Sequence, residues 1–316
     1  MIEIWDKNSV MPEKNLLDQV AILYTENLRS DLAFEEQARG SKIYYPLKVM
    51  TGKDICEKLK KGVTIIADII DNDTVRGMLM LQYGNLPPMC WDITNFVVIK
   101  QLIVGVNYRH QGIATELCST AIKLCRTHWS RQNSVLIGYH VANTVAANLY
   151  KSFGFVDLVH SYYYTPDKDS SMLFAVMNHR EILNDSGFQE AYKKHAEIIK
   201  QKTGCDIATW QQKRRYFESA PDDMVFFKFK DQTYGDCYIT IIHDKRTFIP
   251  VCEYPYPDEL CNDSERLLKM FDNIKDYYNE PALERFLFFV PADADLRQYN
   301  SNVKCGHNSA LAYLPC

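Results

Sequence analysis

The sequence is poor in several features that would assign it quickly. None of its 10 cysteines forms a Cys-x-x-Cys pair. That spacing is the usual mark of a zinc or dithiol site, so no metal is expected. No apolar run reaches the roughly 18 residues that a membrane helix needs. No basic stretch followed by an apolar one opens the chain, and a cytoplasmic protein with reduced thiols is expected. Lysines and arginines are not concentrated. The formal net charge is -4, and the densest basic cluster is Lys213 to Arg215, which reads as a solvated helix face. A nucleic-acid partner is therefore not expected, nor is a membrane.

What is present is an ordinary globular composition, 47% hydrophobic and 24% charged over 316 residues. That is enough chain for two modest domains. Leu16, Val20, Leu23 and Tyr24 lie on one stripe of a long helix, and Gly52 to Gly62 reads as a shorter one. The period then changes. "VTIIADIID" and "TVRGMLMLQYG" are strands divided by a turn at Asn72-Asp73. The segment with Pro87 and Pro88 is a loop. "NFVVIKQLIVGV" is a long strand covered on both faces. A helix follows from Gly112 to Trp129, then the strand "SVLIGYHV" and a second helix closed by Gly154. "FVDLVHSYYYT" and "SSMLFAVMN" are expected to pair as closing strands. This order predicts a mixed α/β sheet. Beyond Asn178 come polar helices, three strands at hairpin spacing, a helix capped by Ser264, and further strands. The boundary is placed to give domains 1–179 and 180–316.

The handover at "YRHQGIAT", Tyr108 to Thr115, carries chemistry. A strand ends, the chain turns, and a helix begins with small residues in its first turn. Unpaired N–H groups and the helix dipole make such a terminus a site for pyrophosphate, with Gly112 allowing close approach and Arg109 adding a cation. Downstream, "NTVAANLYKSFGF" opens the helix after the next strand.

These two motifs, in this order and spacing, resemble the GNAT superfamily of acetyl-CoA-dependent N-acetyltransferases over about residues 60 to 165. The resemblance implies the GNAT fold, acetyl-CoA as co-substrate, and a small-molecule or peptide amine as acceptor; it leaves a homodimer open. It implies that Arg109, His110, Gln111, Gly112, Ile113, Ala114 and Thr115 hold the coenzyme A pyrophosphate. Val104, Gly105 and Val106 match the end of the strand that receives pantetheine, with the Val104 N–H on the thioester carbonyl. Asn143 matches a pantetheine contact. Tyr150 matches the acid that protonates the departing thiolate, and core packing with Ala146 and Phe153 is its other reading.

Many members carry a glutamate as general base three residues before the position of Val104; here that residue is Gln101, which takes no proton. Asp92, Tyr83 and His140 are the candidates by location. The absent carboxylate keeps a second reading open, a non-catalytic acyl-CoA sensor or scaffold. The C-terminal half repeats the order of elements, but the counterpart of Arg109 to Ala114 is the acidic "PYPDELCNDSE". An acidic loop repels pyrophosphate, so a degenerate tandem copy is expected, with an unrelated α+β domain as the alternative.

Overall fold

The computed structural model describes residues 1–39, 49–84, 92–128, 134–166, 172–219, 224–244, 249–252, 255–278, 286–294 and 303–315. The loop residues Pro87, Pro88 and Trp91 and the segment 295–302 fall outside these.

The first half opens with strand β1 (Ile2–Trp5), which the sequence patterning misses because it has four residues. Helices α1 (Lys14–Arg39) and α2 (Gly52–Lys60) follow. A capping box between Thr51 and Asp54 starts α2. Strands β2 (Val63–Ile70) and β3 (Thr74–Gly84) form a hairpin. Its turn is built on Asp71 and Asn72, both with positive φ, one residue earlier than the sequence signal. Strand β4 (Phe96–Val104), helix α3 (Ile113–His128), strand β5 (Ser134–Tyr139), helix α4 (Thr144–Ser152) and strand β6 (Val156–Tyr164) complete this half.

The second half follows a similar order, with three helices after its first strand and, among the described residues, none between its last two strands. Strand β7 (Phe174–Met177) precedes helices α5 (His179–Asn184), α6 (Ser186–Thr203) and α7 (Trp210–Glu218). Strands β8 (Met224–Asp231), β9 (Gly235–Asp244) and β10 (Ile249–Cys252) come next. Helix α8 (Ser264–Tyr278) and strands β11 (Phe286–Pro291) and β12 (Val303–Pro315) follow. Ser264 is the first helical residue of α8 rather than its cap: the Asp263 carboxylate accepts the Arg266 N–H at 3.2 Å.

All strands join one mixed sheet in the order β1-β2-β3-β4-β5-β12-β6-β11-β10-β9-β8-β7. Read from either edge inward, the order is the same. Four antiparallel-linked strands lead to a parallel pair, β4 with β5 and β10 with β11. At the centre the two closing strands are exchanged. β12 pairs with β5 and β6, while β6 pairs with β11. The expected β6–β7 pairing does not occur; β7 pairs with β8 at the far edge of the same sheet.

Alternation along the strands sorts the core. Ile65, Ala67, Met78, Met80 and Ile103 face α1 and α2, burying Leu16, Val20 and Leu23 of α1. Ile66, Leu79, Leu81, Val97, Ile99, Val135 and Ile137 face α3 and α4. Ala310, Ala312 and Leu314 of β12 join that second cluster, whereas Leu311 and Tyr313 join the core of the second half. One strand thus carries residues of both cores. Of the described residues, no helix is long and apolar enough to cross a membrane.

Candidate functional site

β4 and β5 run parallel and pair from Phe96 opposite Ser134 to Ile99 opposite Ile137. There the pairing stops, although β4 continues to Val104 and β5 to Tyr139. The two strands therefore part toward their C-terminal ends. A bulge in the β3–β4 ladder, between Ile99 and Gln101, marks the same point. On the other flank β4 stays paired to β3 as far as Val104 opposite Gly77.

That ladder fixes which way the Val104 backbone points. The Gly105 N–H donates to the Arg76 carbonyl at 2.8 Å. Hydrogen-bonded and non-bonded pairs alternate in an antiparallel ladder, so the neighbouring Val104 directs its N–H and C=O away from β3 and toward the gap. Its carbonyl accepts from Arg109 Nε at 3.3 Å. An extended group entering the gap would meet Val104 as an open strand edge.

Beyond Gly105 the chain makes a 3-10 turn over Val106–Tyr108 and then two left-handed residues, His110 at φ 62° and Gly112 at φ 79°. Gly112 is required by this conformation, and a Cβ built there meets nothing within 4 Å, so its surface is open. The Gly112 carbonyl accepts the first α3 bond, from Glu116 N–H at 3.0 Å. The N–H groups of Gly112, Ile113, Ala114 and Thr115 have no acceptor among the described residues. Gly112 and Thr115 are exposed, and Ile113 is buried as the anchor of the helix. The Gln111 amide reaches back to the Asn107 carbonyl at 3.5 Å and His110 is exposed. Four free donors at the positive end of a 16-residue helix form an anion cradle.

Across the gap, Asn143 caps α4 by accepting the Ala146 N–H at 3.1 Å. Gly154, at φ 89°, ends that helix. Tyr150 is buried at 6% exposure, its ring 5.6 Å from that of Tyr139 and 5.9 Å from that of Phe155. Its ring is thus part of the packing between α4 and the sheet. The Tyr139 hydroxyl donates to Asp157 at 2.6 Å, and burial together with that bond pushes its ionisation up. Burial likewise pushes the Cys118 thiol up to about 12, which makes it an inert core residue.

The candidate bases are scattered. Gln101 accepts from Asn27 Nδ2 at 2.6 Å and is held against α1. Tyr83 sits opposite Val97, at the closed end of the gap. Asp92 is fully buried, 3.0 Å from Lys213 Nζ and 3.9 Å from His195 Nε2. This corrects the reading of Lys213 to Arg215: Arg214 and Arg215 are exposed, but Lys213 is 3% exposed and ion-paired to the other half. Nothing local signals it, since its partner lies far away in the sequence.

In the second half the corresponding terminus is capped by a carboxylate. The Asp263 carboxylate caps α8, and Asp258 in the preceding turn bonds His195 at 2.7 Å. One carboxylate of the chain itself, Asp263, thus takes an N–H at the start of α8, where the first half offers free donors at the start of α3. Among the described residues no group of three or more His, Cys, Asp or Glu side chains could hold a metal.

The model of the Acetyltransferase (GNAT) family matches residues 27–155. A sequence search of curated proteins gives no match. Among solved structures, a GCN5-related N-acetyltransferase from Sphaerobacter thermophilus superposes with a TM-score of 0.53 at 11% identity, covering 99% of this chain and 95% of that one. At this identity the likeness is one of fold, and it extends over both halves. A GCN5-related N-acetyltransferase from Anabaena variabilis gives 0.43 at 12% identity, over 99% of this chain and 72% of that one. A tandem GNAT protein from the clavulanic acid biosynthesis pathway gives 0.46 at 11% identity, over 100% and 98%. The parted β4/β5 pair and the glycine-led start of α3 lie inside residues 27–155, the segment that matches the acetyltransferase (GNAT) family model.

Proposed function

We propose that the protein is an N-acetyltransferase that moves an acetyl group from acetyl-CoA to a primary amine, by direct attack within a ternary complex. The observation that carries this reading is the set of free N–H donors at Gly112 to Thr115, placed where β4 and β5 part. The match of the same segment to the acetyltransferase (GNAT) family model supports acetyl-CoA as the donor.

The residues divide the work as follows. Gly112, Ile113, Ala114 and Thr115 bind the pyrophosphate through backbone N–H, and Arg109 adds a cation beside His110 and Gln111. Val104, Gly105 and Val106 receive pantetheine along the open edge, with Asn143 opposite. The Val104 N–H polarises the thioester carbonyl and stabilises the oxyanion that forms as the amine adds. Tyr150 gives its proton to the departing thiolate; a phenol is neutral at physiological pH yet can donate to a sulfur anion.

The second half, expected over 180–316, is read as a copy that binds no coenzyme, because Asp263 caps its helix terminus and the preceding turn carries Asp258 and Glu259, carboxylates that would repel pyrophosphate. A non-catalytic acyl-CoA sensor is the second reading, favoured by Gln101, whose amide is tied to Asn27 where a base would serve.

Calorimetry with acetyl-CoA and turnover assays on a panel of amines separate the two. Binding with acetylation of at least one amine supports the enzyme. Binding without turnover supports the sensor. Tyr150→Phe should keep coenzyme affinity and lower kcat by about 10²-fold or more; an unchanged kcat removes Tyr150 from the mechanism.

A further inference from the structure

An amine must reach the β4/β5 gap from one face of the sheet. On one face α3 and α4 pack around Ile99, Val135 and Ile137, and α3 opens with the donors read above as the pyrophosphate cradle. The other face, covered by α1 and α2, is left to the acceptor.

Two ammonium groups meet on that second face, at the point where β4 and β5 part. Met80 pairs with Gln101 and Leu81 with Ile99, so Lys100 is the residue left over in the β3–β4 bulge. It is also the first residue of β4 beyond the last pair with β5, Ile99 opposite Ile137. Lys100 is exposed, yet the protein around its ammonium strips enough water to push its ionisation down, and the charge of Lys58 in α2 pushes the same way. The Lys58 ammonium lies over the ring of Tyr24 in α1, 5.2 Å from its centroid. Next to Lys100, Gln101 turns to the same helices, its amide oxygen accepting from Asn27.

No carboxylate answers these charges. Among the described residues neither Lys58 nor Lys100 forms an ion pair, whereas Glu57 pairs with Lys60 at 3.3 Å. Like charges in a partly dehydrated groove repel, and the fold gains nothing from setting them together. An anion between them relieves the repulsion and accepts hydrogen bonds from both. The coenzyme is not that anion. Its pyrophosphate is assigned to Gly112 to Thr115, past the C-terminal end of β4, while Lys100 lies four residues before Val104, at most roughly 13 Å along the strand. The thioester on Val104 would lie between the two, with the lysines on the side away from the coenzyme.

We infer that Lys58 and Lys100 form an anion subsite for the acceptor: the amine that this protein acetylates carries an acidic group, a carboxylate or a phosphate, a short carbon chain away from the reacting nitrogen. This rests on the acetyl-transfer reading above. The two lysines bind and orient the acceptor and take no part in the proton transfers.

The test uses the full chain. The common amino acids, β-alanine and phosphoethanolamine are each compared with an uncharged counterpart, the amide or the dephosphorylated alcohol. Binding to the coenzyme A complex is read by calorimetry and acetylation by steady-state kinetics. The best anionic amine should exceed its counterpart at least about tenfold in kcat/KM. A carboxylate or a phosphate at the head of the ranking identifies the group. Lys58→Met and Lys100→Met should each raise KM for that amine about tenfold or more while kcat stays within about threefold, the mark of lost binding rather than lost chemistry. Acetyl-CoA affinity should stay at the wild-type value in both. Lys100→Glu should abolish the advantage of the anionic amine over its counterpart. A ranking led by uncharged or cationic amines, or Met variants with wild-type KM, overturns the assignment. Anionic amines that bind the coenzyme A complex, lose that affinity in the Met variants and yet are never acetylated leave the subsite standing and overturn the acetyl-transfer reading instead.

Discussion

Lys213→Met tests whether a single buried ion pair holds the two halves together. The Asp92 carboxylate has no exposed surface, and the Lys213 ammonium is its nearest cation at 3.0 Å. The same ammonium lies over the rings of Tyr192, Tyr216 and Phe217, at 5.8, 5.5 and 5.2 Å from their centroids. Removing one partner of a buried pair leaves an uncompensated charge and costs about 3–5 kcal/mol. Lost cation–π contacts add roughly 1 kcal/mol. The expected loss is therefore about 4 kcal/mol or more, a large part of the roughly 5–15 kcal/mol that folded proteins hold in reserve. Removing both charges is a different perturbation. Asp92→Asn with Lys213→Met leaves no stranded ion, and asparagine tolerates the positive φ of 44° at this position. The double variant should recover at least half of the loss. Guanidinium unfolding followed by the fluorescence of the four tryptophans measures both. A single variant that loses less than about 1 kcal/mol, or a double variant no better than the single, refutes the claim that the pair is desolvated and coupled.

Other outcomes follow from the same geometry. Gly112→Val should weaken acetyl-CoA binding at least about tenfold while costing about 1–2 kcal/mol of stability, the price of a side chain at φ 79°. Gly62→Val, at φ 87° and equally uncrowded, should show the stability cost in an unfolding curve without the loss of affinity in calorimetry. Asp157 offers a pH test. Burial works to raise its carboxyl, but hydrogen bonds from His160 and Tyr139 and the nearby Lys151 outweigh it and hold it below 3.8. A depressed folded value means the stabilisation is present above the unfolded value and lost as pH falls through the folded one. The stability gap between wild type and Asp157→Asn should thus be steady near neutral pH and close below 3.8, as read by unfolding at a series of pH values.

Much of this site was legible in the sequence because its signals are local. The glycine of a left-handed residue, the small first turn of α3 and the Asn143 cap each act within a few residues, and each is where the patterning places it. What was missed depends on distant partners. Lys213 looks like part of a solvated basic face until Asp92 is folded against it. β6 and β7 look like a hairpin because neighbouring strands usually pair, yet each has a better partner elsewhere, β11 and β12 for one and β8 for the other. The Asp263 cap of α8 was misplaced by one residue because Ser264 also has a capping side chain. β1 has too few residues to show a period.

The exchanged strands at the sheet centre also dictate when the protein can fold. As the ribosome delivers the chain, β5 emerges with an edge that β12 covers, and β12 is made after the other strands of the second half. Until then the first half holds out unpaired N–H and C=O groups, a template for pairing with other nascent chains. Closing that edge spans most of the second half, so its loop entropy must be met before any contact repays it. The protein should therefore be slow to complete its sheet and dependent on chaperones while it does so, and the β4/β5 gap, formed on that same strand β5, should take its final shape last.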